Sequence, residues 1–319
     1  MACPEKIIRL VESCLNENTC EIEVRYDEPM AKHCTFKAGG PADCWLRPFG
    51  DGFPAFAEAL LGSAHAENIP VFILGGGANI LVADAGIRGI VLDTGGWVGE
   101  AGQGRQEGAV EFHAGTSLDD AAEIAAGIGL SGLEFLAGMP GSVGGAVWMN
   151  ARSYGSEIAD VLHEVEIIDF SHDPPGLLRC TVDKAEFGYK RSPFQNRKNL
   201  ILSASFYLKK AGEKQIRAAM DDNRKDRESK GHYRYPCAGS VYKNNPGFGE
   251  PTGKIIADLG LRGLRIGGAQ VADWHGNIIV NTGGATATDI RDLVYTVAAQ
   301  VKVATGYDLE PEILFVGEW

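Results

Sequence analysis

The run Pro236-Cys-Ala-Gly-Ser-Val-Tyr-Lys-Asn244 combines side chains that could bind an anion and move a proton. Gly239 has no side chain, so a ligand could approach the backbone closely at this point. Lys243 could hold an anion, Asn244 could hydrogen-bond it, and Ser240 could give or accept a proton. Taken alone, the run is equally consistent with an ordinary turn.

Composition describes a folded acidic protein with one basic segment. The chain has 319 residues, of which 45% are hydrophobic and 23% charged, and a net charge of −12. That length suits about two to three domains. The acidic balance argues against nucleic acid as a partner, because such binding needs an excess of Lys and Arg. Residues 224–265 nevertheless hold nine Lys or Arg and four Asp or Glu. A solvated basic face is the alternative, but the segment surrounds Ser240 and we expect a pocket for an anionic small molecule.

The cysteines and the N-terminus indicate an intracellular setting. Seven cysteines show no C-x-x-C spacing, which predicts neither a disulfide framework nor a zinc site, and the histidines show no metal-binding spacing. We find no signal-peptide core and no apolar run of membrane-spanning length. We therefore expect a cytoplasmic protein with no metal and no membrane partner.

Two glycine-rich loops lie in the first half of the chain, Gly75-Gly-Gly-Ala-Asn79 and Gly138-Met-Pro-Gly-Ser-Val-Gly-Gly145. Successive backbone N–H groups in such loops could bind phosphate oxygens, and a helix beginning after the second loop would add its positive end. Either loop alone is better explained as a tight turn, but the two together indicate a dinucleotide cofactor. The first loop runs into a predicted strand, Ile80-Leu-Val82, and a Rossmann fingerprint needs a helix there.

Two further segments carry candidate polar groups. Tyr189, Lys190 and Arg191 place a phenol and two cations in consecutive positions, which could bind carboxylate or phosphate. An exposed loop is the alternative. Glu310 and Glu312 would face the same way in a strand. Because Pro311 breaks the ladder, one carboxylate could turn inward, although acidic groups near a C-terminus are usually solvated.

Hydrophobic periodicity predicts a mixture of helices and strands, and hence an α+β fold. Helices are predicted over residues 5–15, 53–67, 118–128, 213–226, 253–259 and 288–304. Strands are predicted over residues 21–26, 70–74, 80–82, 110–114, 161–170, 200–208, 269–272, 278–280 and 312–316.

Taken together and in this order, the motifs closely resemble those of the bacterial UDP-N-acetylenolpyruvoylglucosamine reductase family. The resemblance covers nearly the whole chain from about residue 30, in the compact form of the family that lacks a Tyr-bearing lid loop. The segments that carry it are His33-Cys-Thr-Phe-Lys-Ala-Gly-Gly-Pro-Ala42, Leu74-Gly-Gly-Gly-Ala-Asn-Ile-Leu81, Gly129-Leu-Ser-Gly-Leu-Glu-Phe-Leu-Ala-Gly-Met-Pro-Gly-Ser-Val-Gly-Gly145, Phe187-Gly-Tyr189, Cys237-Ala-Gly-Ser-Val-Tyr-Lys-Asn244, Gly260-Leu-Arg-Gly-Leu-Arg-Ile-Gly-Gly-Ala-Gln270 and Leu309-Glu-Pro-Glu312.

The resemblance implies an α+β protein with a two-part FAD-binding region of the vanillyl-alcohol-oxidase (PCMH) type and a C-terminal α/β substrate-binding domain. The expected parts are residues 1–92, the N-terminal helix and first FAD-binding subdomain, then 93–210, the second, and 211–319, the substrate domain. It also implies NADPH as co-substrate and a UDP-sugar enolpyruvyl ether as substrate, reduced to UDP-N-acetylmuramate for peptidoglycan. We expect a monomer. The implied FAD contacts are Gly75, Gly76, Gly77, Ala78, Asn79, Ile80, Gly138, Met139, Pro140, Gly141, Ser142, Gly144, Gly145 and Arg227.

By the same resemblance, Ser240 is the proton donor and Glu312 helps to hold or protonate an enediolate formed when hydride adds to the enol ether. A serine hydroxyl is a poor acid in water, so this role needs a positive neighbour, either Lys243 or the 190–191 pair. The residues implied to contact substrate are Tyr154, Tyr189, Arg191, Lys230, Lys243 and Asn244.

One departure from the family pattern affects the predicted catalytic set. The family usually reads Tyr-Arg-x-Ser, with the arginine polarising the substrate carboxylate, whereas this chain reads Tyr189-Lys190-Arg191-Ser192. Either Lys190 replaces the arginine or a local shift brings Arg191 into its place, and the two cations are not interchangeable at a bidentate site. By position we assign the role to Lys190.

Two other functions compete with the reductase. A flavin-dependent sugar or alcohol oxidase of the same fold would leave Ser240 and Glu312 unexplained, and the Gly-Gly-His run that often links its flavin is missing from this sequence. A nucleotide-sugar-binding module, in which the glycine loops are only turns, would bind no flavin.

Overall fold

The computed structural model describes residues 4–99, 101–104, 108–172 and 174–319. Within these residues each predicted helix is confirmed, and a further short one follows the second glycine loop. None of the described helices has both the length and the apolar character needed to cross a bilayer. The α-helices are α1 (Pro4–Glu17), α2 (Phe53–Ala66), α3 (Leu118–Gly127), α4 (Val143–Met149), α5 (Glu213–Ser229), α6 (Thr252–Asp258) and α7 (Ala287–Thr305).

The predicted strands are also confirmed, although the last one begins at Leu314, after Glu312. Several strands were not predicted, among them β2, β5 and β12. The described strands are β1 (Glu21–Pro29), β2 (Pro41–Phe49), β3 (Val71–Leu74), β4 (Ile80–Val82), β5 (Ile87–Asp93), β6 (Gly102–Gln103), β7 (Ala109–His113), β8 (Leu130–Ser131), β9 (Arg152–Ser153), β10 (Ser156–Glu157), β11 (Leu162–Asp169), β12 (Gly176–Thr181), β13 (Asn199–Tyr207), β14 (Lys209–Lys210), β15 (Arg265–Ile266), β16 (Ala269–Val271), β17 (Ile279–Asn281) and β18 (Leu314–Val316).

The described residues fall into two compact units, each made of several stretches of chain. The first unit takes residues from Met1–Tyr26, Asp43–Gly76 and Gly89–Lys225, and the second from Asp27–Ala42, Gly77–Arg88 and Asp226–Trp319. The division of the chain into two FAD-binding subdomains and a substrate-binding domain stays a prediction.

The first unit is built around an antiparallel sheet of strand order β12-β11-β13-β7-β6. Its central strand β13 is buried at every residue but the last, including the polar residues Ser203 and Ser205, whose hydroxyls donate to Glu111 of β7. Helix α4 packs against β13 and β7. Helices α1 and α2 pack together in the same hydrophobic core.

In the second unit, β4 pairs in parallel with β18, and β15, β16 and β17 form a small antiparallel sheet. Helix α7 contacts all three strands of the small sheet. The hydroxyl of Tyr242, which is almost fully buried, donates a hydrogen bond to the carbonyl of Val294 in α7. This bond anchors the run that contains Ser240 to the core of the unit.

The N-terminus of α7 is capped twice. Thr286 and Asp289 form a capping box, in which the hydroxyl of Thr286 accepts from the N–H of Asp289. The carboxylate of Asp84 accepts from the N–H groups of Ala287 and Thr288, both at 2.8 Å, and from the Thr288 hydroxyl. Burial raises the pKa of Asp84, but these hydrogen bonds outweigh it and hold the pKa below its ordinary value of 3.8.

We predict that Asp84→Ala lowers the free energy of unfolding by about 1 kcal/mol at pH 7, because two N–H groups of α7 lose their acceptor. Since the folded pKa is depressed, the stabilisation is present above the unfolded pKa and is lost as the pH falls below about 3.8 through the lower folded value. Urea unfolding of both proteins at pH 7 and pH 3 measures the difference. Asp51→Ala, an exposed position, is the control, and a gap that does not narrow at pH 3 contradicts the role of the carboxylate.

Candidate active site

In the first unit the two glycine loops lie against each other at backbone distance. A Cβ atom added to Gly76 would lie 2.6 Å from Cα of Gly141, and one added to Gly75 would lie 2.8 Å from Oγ of Ser142. Oγ of Ser142 accepts from the N–H groups of Gly76 (3.2 Å) and Gly145 (3.4 Å). Gly75 and Gly76 therefore allow the two loops to pack closely, a role that was not predicted from the sequence.

The protein itself uses most N–H groups of the second loop. The N–H of Gly138 donates to Asp119 at 2.7 Å, that of Met139 to the Leu136 carbonyl, and that of Gly144 to the Ala114 carbonyl. Pro140 has no N–H. Among the predicted FAD contacts in this loop, Gly141 and Ser142 remain. Their N–H groups have no acceptor among the described residues. They lie directly before α4, as a phosphate-binding loop requires.

Asp119 was not predicted from the sequence, yet it holds the start of this loop. Its carboxylate accepts from Gly138 and from the guanidinium of Arg224 at 2.8 Å. Burial raises the pKa of Asp119, but the bonds from Gly138 and Arg224 outweigh it and lower that pKa. Asp119 therefore stays ionised at neutral pH. The only sequence signal for Asp119 was its position in the first turn of a capped helix. That position does not predict a contact with a distant loop.

The predicted substrate residues Tyr189 and Lys190 form the centre of a tight turn in the first unit. Gly188 and Arg191 close it through reciprocal backbone hydrogen bonds of 3.0 Å. Lys190 has φ 55° and is half-buried, whereas Arg191 is exposed, with Nε 3.4 Å from the position of a Cβ on Gly188. Arg191 therefore folds back over its own turn.

Tyr154 lies in the same unit, on a second turn. It has φ 51°, its ring is 43% exposed, and its hydroxyl donates to the Asn223 carbonyl at 3.0 Å. Tyr189 is 40% exposed, and the guanidinium of Arg152 lies 6.0 Å from the centre of its ring. Both phenols are thus accessible to a ligand. The contact between Arg152 and Tyr189 was not predicted from the sequence.

In the second unit, the run that contains Ser240 is held between two other segments. Ser240 pairs with Ile278, and Tyr242 pairs with Pro311, both as isolated antiparallel bridges. The N–H of Glu312 donates to the Val241 carbonyl at 2.7 Å. The backbones of the predicted proton donor and of the predicted carboxylate are therefore adjacent. Because the chain bends at Val241, strand alternation does not decide which way their side chains face.

Asparagine side chains fix both segments. Asn277 accepts from the N–H of Tyr242 at 2.9 Å and donates to the Tyr242 carbonyl at 2.8 Å. Asn79, predicted as a cofactor contact, donates through Nδ2 to the carbonyl of Glu312 at 3.0 Å. The side chain of Glu312 is only 8% exposed. The sequence contained no signal that would join Asn79 to a residue more than two hundred positions away.

The second part of the first glycine loop belongs to this unit. A Cβ atom on Gly77 would lie 2.0 Å from the His33 carbonyl oxygen, and the Gly77 carbonyl accepts from the N–H of Thr35. The hydroxyl of Thr35 donates to the carbonyl of Ala78, and Ile80 begins β4. The family motif that begins at His33 thus supports this part of the first glycine loop.

The predicted cations of the second unit differ in their surroundings. Arg227 is 8% exposed in the last turn of α5. Lys230 pairs with Asp226 at 2.6 Å, and Lys243 pairs with Glu310 at 2.6 Å, so a carboxylate offsets part of each positive charge. The Asn244 side chain accepts from the N–H of Thr252, at the start of α6.

Two half-buried histidines lie near these cations. The rings of His232 and His275 are 6.5 Å apart. Burial, reinforced by the charge of Arg227, lowers the pKa of His232 to about 4. Burial and the charge of Lys230 lower the pKa of His275 as well. Both imidazoles are therefore neutral at pH 7, and neither adds to the positive charge of this unit.

Comparisons with known proteins agree with the motifs. Two protein-family models match, "FAD binding domain" over residues 57–171 and "UDP-N-acetylenolpyruvoylglucosamine reductase, C-terminal domain" over residues 231–316. The UDP-N-acetylenolpyruvoylglucosamine reductase of Treponema pallidum is 39% identical, over 92% of this chain and 94% of that protein. The chain belongs to this reductase family. The reductase of Borreliella burgdorferi is also 39% identical, over 90% of this chain and 93% of that protein.

A solved structure supports the fold. The crystal structure of the reductase from Thermus caldophilus matches 93% of this chain and 100% of its own, with 30% identity and a TM-score of 0.75. Together with the FAD-binding match, this confirms the predicted α+β fold with an FAD-binding region of the vanillyl-alcohol-oxidase type. The close loops, the N–H groups of Gly141 and Ser142 that have no acceptor among the described residues, and the helix that follows them fit the pyrophosphate of FAD.

We predict that Gly76→Ala weakens FAD binding by about tenfold, because its Cβ atom would overlap Gly141 and push the two loops apart. Flavin absorbance of the purified protein and titration of the apoprotein with FAD measure the effect. Gly176→Ala is the matched control, since a Cβ atom there meets nothing within 4 Å. Equal FAD affinity in both variants would show that close approach of the loops is not needed.

Proposed function

We propose that this chain is an NADPH-dependent reductase that converts UDP-N-acetylglucosamine enolpyruvate to UDP-N-acetylmuramate, a precursor of peptidoglycan. The observation that carries the proposal is the 2.7 Å backbone hydrogen bond from Glu312 to Val241, beside Ser240, in a chain of this family. It brings next to each other the two segments that the reaction needs. The predicted monomeric state and cytoplasmic location stay predictions.

The reaction adds a hydride to the methylene carbon of the enol ether and a proton to the adjacent carbon, and it oxidises NADPH to NADP⁺. Bound FAD would supply the redox chemistry that carries a hydride from NADPH to the enol ether. The protein must then stabilise negative charge on the adjacent carbon and its carboxylate until a proton arrives.

Ser240 is proposed to donate that proton. Its backbone is fixed by the pairing with Ile278, and the residues that follow it are fixed by Asn277. Gly239, with φ 74° and open space around it, lets the chain reverse just before the serine. Glu312 is proposed to hold or protonate the enediolate beside it. For this its carboxyl group must carry a proton, because an ionised carboxylate has no hydrogen to donate and would repel the enediolate. A nearly buried carboxyl group suits that role, because its hydrogen bonds to a ligand are shielded from water.

Lys190 is proposed to polarise the substrate carboxylate. Lys190 is half-buried in the Gly188–Arg191 turn, while Arg191 is exposed and lies over the same turn. Lys243 shares its charge with Glu310, which makes it the weaker choice for the cation that assists Ser240. Tyr154, Tyr189 and Asn244 would bind the sugar nucleotide. Arg227 and Lys230 would bind its phosphates and the flavin.

Anaerobic stopped-flow spectroscopy tests the proposed function. NADPH should bleach the flavin absorbance at about 450 nm, and the UDP-sugar enolpyruvyl ether should then restore it with formation of UDP-N-acetylmuramate. A flavin that ignores NADPH but is bleached by a sugar or alcohol would identify an oxidase. A protein that binds no FAD would be a binding module.

We predict that Ser240→Ala leaves the reduction of flavin by NADPH unchanged and slows reoxidation by the UDP-sugar by about 10²- to 10⁴-fold, the usual contribution of a general acid. The two half-reactions are measured separately in the stopped-flow instrument. Ser171→Ala, in an exposed loop, should behave as wild type. Equal loss in both half-reactions would rule out the proton-donor role.

We also predict that Lys190→Ala lowers the turnover of the UDP-sugar more than Arg191→Ala does, because the half-buried cation is the better placed to meet the substrate carboxylate. Steady-state kinetics on both variants, with circular dichroism to check folding, give the ranking. The reverse ranking would assign the role to Arg191.

A further inference from the structure

Helix α4 joins the second glycine loop to the turn that carries Tyr189 and Lys190. The helix is seven residues long, about 10 Å. Ser142, at the end of the glycine loop, is its N-cap, and Asn150 is its C-cap. Both ends belong to the first unit, so a displacement at either end of this short rigid element would be transmitted to the other.

Asn150 is the residue at which the helix meets the turn. It is fully buried and adopts the left-handed conformation, with φ 46° and ψ 60°. Its Nδ2 donates to the Gly188 carbonyl at 2.9 Å, and its Oδ1 accepts from the N–H of Ala159 at 3.0 Å. Few side chains tolerate this backbone conformation, and of those asparagine supplies a donor and an acceptor at once.

Other bonds attach the turn to the end of the same helix. The hydroxyl of Ser192 donates to the Trp148 carbonyl at 2.6 Å. The amide of Gln195 donates to the Lys190 carbonyl at 3.1 Å and lies 3.8 Å from the sulfur of Met149. The strained backbone of Lys190, with φ 55°, needs such external support to persist.

We propose that Asn150 is a positioning residue, which fixes the Gly188–Arg191 turn on α4 and thereby sets Tyr189 and Lys190 for the substrate. The inference rests on the proposed function, because it assumes that these two residues contact the UDP-sugar. Asn150 acts through the turn and does not itself touch the reacting atoms.

Three substitutions separate conformation from hydrogen bonding. Asn150→Gly keeps the left-handed backbone and removes both side-chain bonds. Asn150→Asp keeps the shape and the acceptor for Ala159 but turns an oxygen toward the Gly188 carbonyl. The control is Asn68→Gly, since Asn68 also has a positive φ, 53°, but is exposed.

The experiment uses the FAD-loaded full chain in the two half-reactions. Asn150→Gly and Asn150→Asp should slow reoxidation by the UDP-sugar by about 10- to 100-fold, because a small displacement of a positioning element costs that much. Reduction of the flavin by NADPH and the flavin spectrum should be unchanged, and Asn68→Gly should match wild type. If Asn150→Gly does not fold, the Asn150→Asp variant carries the test.

A double-mutant cycle with Lys190→Met decides whether Asn150 acts through the turn. In that background Asn150→Gly should lose most of its effect. A full effect in the Lys190→Met background, equal slowing of both half-reactions, or wild-type reoxidation in both Asn150 variants would overturn the inference. Wild-type protein that does not turn over the UDP-sugar would instead overturn the proposed function.

Discussion

The close approach of two glycine loops is the constraint on which the first unit depends. Gly76 and Gly141 meet with no room for a Cβ atom between them, and the hydroxyl of Ser142 bonds to both loops. The protein thus uses most of the N–H groups that the second loop could offer to a phosphate. In that loop, Gly141 and Ser142 remain, directly before α4. The glycines therefore serve the packing of the protein first, and this packing leaves a few N–H groups that suit a pyrophosphate.

Asparagine side chains, buried at Asn150 and Asn277 and half-buried at Asn79, attach the functional segments to the rest of each unit. Asn150 bonds to the substrate turn in the first unit, while Asn277 and Asn79 hold the segments of Ser240 and Glu312 in the second. Each amide bonds to a backbone group of an irregular segment, where no helix or strand partner is available. Because an unpaired backbone group is costly in the interior, each amide also selects one position for the segment that it holds.

The number of Lys and Arg residues in the second unit overstates the positive charge that is available to a ligand. The exposed Lys254 of α6 pairs with Glu250, which precedes the helix, and with Asp258 at its end, and exposed pairs of this kind contribute little to stability. Arg227 differs, since its guanidinium is almost buried. The low pKa of His232 keeps its own imidazole, near Arg227, neutral at pH 7. Positive charge for an anionic ligand must therefore come from a few selected cations rather than from the whole basic segment.

The sequence alone determined the elements with strong periodicity, such as the helix α7, and it determined the family, because long motifs in a set order are highly specific. It could not reveal that Asn79 bonds to Glu312, or that Asn150 bonds to the Gly188–Arg191 turn. Local propensity is set by neighbouring residues, whereas these bonds join segments far apart in the chain. Only tertiary packing brings such groups within hydrogen-bond distance, and so it alone decided which glycines support the loops and which N–H groups remain for a ligand.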